Sequence, residues 1–139
     1  MTFHQPGWVL PNGHRVRSRL EARLCEVLQA EGRAHAHGEA TGLSFVVAIG
    51  PRRHALYVPS IRLDAPLADG RIVLVEPVGS TRPGGGVRRL VGMRQAHHTD
   101  YCLVVVARRS LAVQLPEEAY DVLIPAEALS TLGARLAEL

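Results

Sequence analysis

At 139 residues the chain is long enough to bury one substantial core and too short for two ordinary domains. Its hydrophobic share of 47% is that of a globular protein, no apolar run reaches the roughly 18 residues of a membrane helix, and no signal-peptide pattern opens it, so the cytoplasm is the expected compartment. Net charge is only +3, but all 16 basic residues are arginine: bidentate phosphate recognition is well supplied, while chemistry that needs a lysine is excluded.

The first sixteen residues carry Pro6, Gly7, Pro11, Asn12 and Gly13 and read as an irregular arm, with Trp8-Val9-Leu10 pinning it to the body. From Arg17 to Gly32 the pattern turns helical. Leu20, Leu24, Val27 and Leu28 recur at three- and four-residue spacing, Ser18 with Glu21 forms a capping box, and Gly32 ends the element. Arg33–Glu39 alternates as a strand that puts His35 and His37 on one side. That spacing allows a two-histidine metal clamp, but a clamp needs a third ligand, and the spacing reads first as that of a half-exposed edge strand. The two cysteines, Cys25 and Cys102, read as buried free thiols and show no zinc-ligand spacing between them.

Leu43–Ile49 reads as a core strand with a turn at Gly50–Arg53, and His54–Val58 begins the next strand. Tyr57–Leu63 and Arg71–Val75 then read as two strands joined by a turn in Asp64–Gly70, the second apolar enough to be covered on both faces. Glu76 closes that strand and places a carboxylate at its lip, with Pro77 and Val78 following.

Pro59, Ser60 and the run ending in Glu76-Pro77-Val78 resemble the core of the PD-(D/E)xK nuclease superfamily, in which Pro-Asp opens one strand and Glu-x-Lys closes the next. Pro59 and Glu76 match that pattern; Ser60 stands at the aspartate position and Val78 at the lysine position. The resemblance implies a restriction-endonuclease-like α/β domain with a mixed sheet flanked by helices. It also implies Glu76 as a catalytic residue, with Glu39 at the end of an early strand and Glu21 on the first helix as further candidates. Glu76 and Glu39 would hold Mg²⁺ in an active member. Glu21 also has a local reason to be present, as the acidic half of the capping box.

Beyond Glu76, the stretch 79–86 is glycine-rich and reads either as a mobile connection or as a loop gripping a strand. Val87–His98 is a second helix carrying Arg88, Arg89 and Arg94, which with Arg82 form the candidate nucleic-acid-binding face. Cys102–Ala107 and Leu111–Leu115 read as strands, and Val122-Leu123-Ile124 as a short apolar run. A last helix spans 126–139 with Leu129, Leu132, Leu136 and Leu139 as its stripe.

The expected organisation is therefore an arm (1–16), a nuclease-like core (17–109), and a C-terminal strand and helix (110–139) completing the same domain. Serine is a weak neutral oxygen donor and valine neither gives a proton nor carries charge, so a Mg²⁺ site built here is short of both ligands and an activating group. Two readings follow. One is a nuclease-derived domain that has lost catalysis and binds nucleic acid, DNA before RNA, or a protein partner. The other is a divergent Mg²⁺-dependent phosphodiester hydrolase with relocated residues. Neither involves a membrane, and a homodimer is compatible with both.

Overall fold

The computed structural model describes residues 7–81 and 86–139. The chain opens with a small ribbon, β1 (Trp8–Val9) antiparallel to β2 (Arg15–Val16), in place of the expected irregular arm. Val16 is fully buried and ties the ribbon to the body. Helix α1 (Arg19–Ala30) begins at Ser18, whose Oγ accepts the Glu21 N–H at 3.1 Å as the capping box requires. The chain then forms β3 (His35–His37), a 3₁₀ turn at Gly38–Thr41, β4 (Phe45–Gly50), β5 (Arg53–Tyr57), β6 (Ile61–Leu63) and β7 (Ile72–Pro77). Helix α2 (Val87–His97) leads to β8 (Tyr101–Ala107), a short α3 (Arg109–Ala112), β9 (Val122–Pro125) and α4 (Leu132–Ala137).

Five strands form one mixed sheet in the order β3-β6-β7-β8-β9. As expected, β6 and β7 are antiparallel, with Ile61 opposite Val75, and α2 is the crossover between parallel β7 and β8. Strand β8 shows why that centre is so apolar. Cys102, Val104 and Val106 pack toward α1 and α4, while Leu103, Val105 and Ala107 pack toward α2 and α3, so both faces are covered.

Three sequence expectations are corrected. The segment Leu43–Ile49 is not a strand of the main sheet: β4 pairs only with β5 in a separate hairpin. Its inner residue Val47 packs on α2, while Val46 and Leu56 are 70% and 60% exposed, so the apolar run is one-sided rather than central. A Cβ at Gly92 would run into the Ala48 carbonyl, and this glycine is what lets α2 lie so close. The segment Leu111–Leu115 forms the end of α3 and a turn, because Leu111, Ala112 and Leu115 all face the same apolar layer. The apolar run at Val122 forms the sheet's edge strand, parallel to β8, and the expected helix over 126–139 is instead a 3₁₀ segment, Ala126–Thr131, followed by the short α4.

Candidate functional site

The pleat of β7 turns Val73 and Val75 toward α1 and turns Leu74 and Glu76 to the other face, toward the hairpin and α2. Glu76 is 7% exposed and receives three hydrogen bonds. The Tyr57 hydroxyl donates to Oε1 at 2.5 Å, the Ser60 amide to the same oxygen at 2.8 Å, and the Ser60 hydroxyl to Oε2 at 2.7 Å. Burial pushes the Glu76 carboxyl up to about 7 despite these donors, which pull it the other way; the nearby Glu21 adds a small upward push. Tyr57 is driven well above its ordinary range by burial and by the facing carboxylate, so its oxygen remains a donor. Ser60 therefore serves to bind Glu76 and offers no charge of its own.

Val78 lies just past β7, 7% exposed, packed among apolar neighbours with its N–H on the Val106 carbonyl. Glu21 is buried and its Oε2 accepts a hydrogen bond from Nδ1–H of His37 at 2.8 Å. Glu39 sits on the 3₁₀ turn rather than at a strand end and is exposed.

Two hollows meet in front of these groups. A cavity of ≈ 360 Å³ is lined by Arg15, Arg17, Glu21, His37, Glu39 and Ser60 among others. A larger one of ≈ 860 Å³ includes Arg17, Glu39, Tyr57, Glu76, Val78 and Arg89 in its wall. Arg17 and Glu39 belong to both. Arg17 is exposed and makes no ion pair among the described residues. Arg89 donates Nε–H to the Leu56 carbonyl at 3.1 Å, which aims its guanidinium along the cavity wall.

The structure does not gather the arginines that the sequence groups. Arg82 lies outside the described residues. Of the three on α2, Arg88 is exposed, Arg89 faces the hairpin, and Arg94 is held by Asp121 at 3.1 Å and by the Glu117 carbonyl at 3.0 Å. A helix turns about 100° per residue, so positions 88, 89 and 94 point three ways. Arg15 and Arg17, in contrast, escape a reading of the sequence because nothing in the chain pattern shows that the β1–β2 ribbon brings them beside Glu21, His37 and Ser60. Tyr57 escapes it as a partner of Glu76 because the hairpin that supplies it carries the apolar pattern of a main-sheet strand.

A Mg²⁺ ion takes oxygen ligands in octahedral geometry, normally with carboxylates that have oxygens to spare. Here both Glu76 oxygens are engaged by donors, Glu21 is engaged by His37, and Glu39 stands apart on an exposed turn. This donor set does not fit the ion.

No family model matches the chain, and no curated protein matches it. Among solved structures it is similar to protein VC1899 from Vibrio cholerae, with a TM-score of 0.48 and 11% identity. The alignment covers 86% of this chain and 31% of that protein, so the chain spans under a third of its length.

Proposed function

We propose that this chain is a nuclease-like domain without hydrolytic activity that binds nucleic acid, duplex DNA first, along the hollow lined by Arg15, Arg17 and Arg89. The observation that carries this reading is the state of Glu76. The acidic residue at the nuclease-like position is saturated by Tyr57 and Ser60 and held near 7, so around neutral pH it carries less than a full negative charge beside those arginines. Across the two adjoining hollows, three arginines stand against Glu39, Glu21 (which is engaged by His37) and the partly protonated Glu76, a small positive balance. Such a surface suits phosphate binding and does not suit the assembly of a dication with its activated water.

The test is fluorescence anisotropy with labelled duplex DNA, single-stranded DNA and RNA, beside a cleavage assay in Mg²⁺ or Mn²⁺. Binding should weaken as salt rises. Arg17→Ala combined with Arg89→Ala should lower affinity and flatten the slope of log K against log salt by roughly 0.9 for each duplex phosphate that is no longer neutralised. Salt-independent affinity, or no binding to any of the three, would overturn the binding half of the proposal. Robust turnover that Glu76→Ala abolishes would overturn the other half and favour the divergent hydrolase.

A further inference from the structure

We propose that His14, Cys25, His35 and His37 bind one zinc ion in a closed tetrahedral Cys-His₃ site that joins the β1–β2 ribbon, α1 and β3. The four ligand atoms lie within 4.8 Å of one another, and among the described residues no other group of three or more His, Cys, Asp or Glu converges in this way. The cluster borders the smaller hollow, whose wall includes His37 and Glu21, but the inference rests on the convergence of the four ligand atoms and does not depend on the assignment to nucleic acid.

The convergence follows from two periodicities. Glu21 and Cys25 are one turn apart on α1, a rise of about 6 Å, and His37 and His35 are two residues apart on β3, about 6.6 Å. Helix and strand run past each other in opposite directions, so Glu21 meets His37 and Cys25 meets His35. His35 and His37 face α1 because their partners on β6, Leu63 and Ile61, face that layer. His14, in the turn before β2, closes the group from the side; its ring lies edge-on to those of His35 and His37, with centroids 4.7 and 5.0 Å away.

Each strand histidine is oriented by its other nitrogen. His35 Nδ1 lies 2.9 Å from the Arg33 carbonyl, which can only accept, so Nδ1 carries the proton and Nε2 presents a lone pair inward. His37 Nδ1 is likewise fixed by Glu21, which turns Nε2 inward. Backbone carbonyl and carboxylate are the usual outer partners of metal-bound imidazole. Inside, His14 Nδ1 is 3.2 Å from His35 Nε2, and Cys25 Sγ is 3.4 and 3.3 Å from these two nitrogens. A tetrahedron with Zn–N near 2.05 Å and Zn–S near 2.3 Å has edges of roughly 3.3–3.6 Å. Hydrogen bonding alone leaves the group incomplete, since His37 Nε2 is buried without a hydrogen-bond partner among the described residues. One divalent ion satisfies all four atoms: the thiol proton of Cys25 leaves to solvent, and thiolate and three neutral imidazoles become ligands. Sulfur with three nitrogens selects zinc over Mg²⁺ or Ca²⁺, and four protein ligands leave no position for substrate, which makes the site structural.

The test uses the full chain, stripped with a chelator and titrated with zinc against a chromophoric competitor, then with Co²⁺. One zinc per chain is expected, and the Co²⁺ form should show intense tetrahedral d–d bands with thiolate-to-cobalt charge transfer. Cys25→Ser should abolish the charge-transfer band and weaken zinc binding at least tenfold. Should that variant fail to fold, the wild-type stoichiometry and cobalt spectrum decide alone. Absence of stoichiometric binding by the folded wild type, a weak octahedral cobalt spectrum, or charge transfer that survives in Cys25→Ser would each overturn the proposal.

Discussion

Around Glu76, on the face of the sheet turned to α2, two acceptor oxygens meet three donors, and the set closes on itself. Around Cys25, on the face turned to α1, a sulfur and three imidazole nitrogens converge, and His37 Nε2 finds no hydrogen-bond partner among the described residues. Both groups are mostly buried and both are built from residues that carry catalysis or metals in many proteins. What separates them is sign. A group of donors and acceptors in matched number is complete within the protein, while a group that leaves an inward lone pair unmatched, as at His37 Nε2, can be completed by a cation. Residue type alone ranks the carboxylate site first for metal; counting protons and lone pairs reverses the order.

The largest effect that would break this comparison is metal-linked stability. At free zinc a thousandfold above the dissociation constant the folded state gains about 4 kcal/mol, a shift in melting temperature on the order of 10 °C for a domain of this size. Calorimetry with zinc and with chelator measures it. Glu76→Gln should leave that shift unchanged, whereas loss of Cys25 should remove most of it. A chelator-insensitive melting temperature would put the two groups on the same footing.

Next comes the pH response of Glu76. Its carboxyl titrates near 4.5 unfolded and about 7 folded, so between those values the folded state holds the extra proton. Stability from this group is therefore greatest below about pH 4.5 and declines as pH rises to about 7, by about 3 kcal/mol in all. Glu76→Gln keeps the hydrogen bonds: the amide oxygen accepts from Tyr57 and the Ser60 amide, while the NH₂ donates to the Ser60 hydroxyl. Relative to wild type, the glutamine variant should gain stability steadily across that window and level off above it, as urea titrations at several pH values would show. A difference independent of pH would mean that Glu76 is ionised throughout.

How much of this is legible in the sequence differs between the two groups. Glu76 and Ser60 stand out from the strand pattern at β6–β7, since each lies beside a continuous apolar run whose register the short turn fixes. The main sheet's β6, β7, α2 and β8 are legible for the same reason. The hairpin is not, because Val46 and Leu56 are apolar yet exposed, and an alternating strand cannot announce which sheet it joins. The zinc ligands are only half visible. His-x-His shows on β3, but Cys25 and His14 come from a helix and a turn whose distance to β3 is set by tertiary packing. The recoverable signal is a pair of matched spacings, Glu-x₃-Cys on a helix against His-x-His on a strand.

A smaller effect tests the outer layer of the zinc site. Glu21→Gln keeps a hydrogen bond to His37 but removes the charge that fixes and polarises the ring, and should weaken zinc by 10- to 100-fold, roughly 1.4–2.7 kcal/mol. Competition against a chromophoric chelator reads this directly, and the metal-free melting temperature should move far less. Equal losses with and without metal would make Glu21 only a packing and capping residue.

The smallest effect comes from one hydroxyl, and its pH trend runs opposite to that of Glu76→Gln. Tyr57→Phe removes the donor to Glu76 Oε1 and keeps the ring that packs near Phe45. A hydrogen bond to an ionised group is worth about 1.5–3 kcal/mol and to a neutral one about 0.5–1.5 kcal/mol. Below pH 6 the Glu76 carboxyl holds its proton and the substitution should cost about 1 kcal/mol. Above pH 7 the missing bond is charge-assisted, so the cost should roughly double. Removing this donor also raises the Glu76 carboxyl further, since Tyr57 is the first of the groups that hold it down. The two variants should therefore diverge with rising pH, Glu76→Gln gaining on wild type and Tyr57→Phe falling behind it. In the double variant the pH-dependent part of the Tyr57 effect should vanish, because the glutamine has no charge for the phenol to assist. Urea titrations of the four proteins at pH 5 and pH 8 close this cycle, and a Tyr57→Phe cost that is the same at both values would show that the carboxylate and the phenol are not coupled.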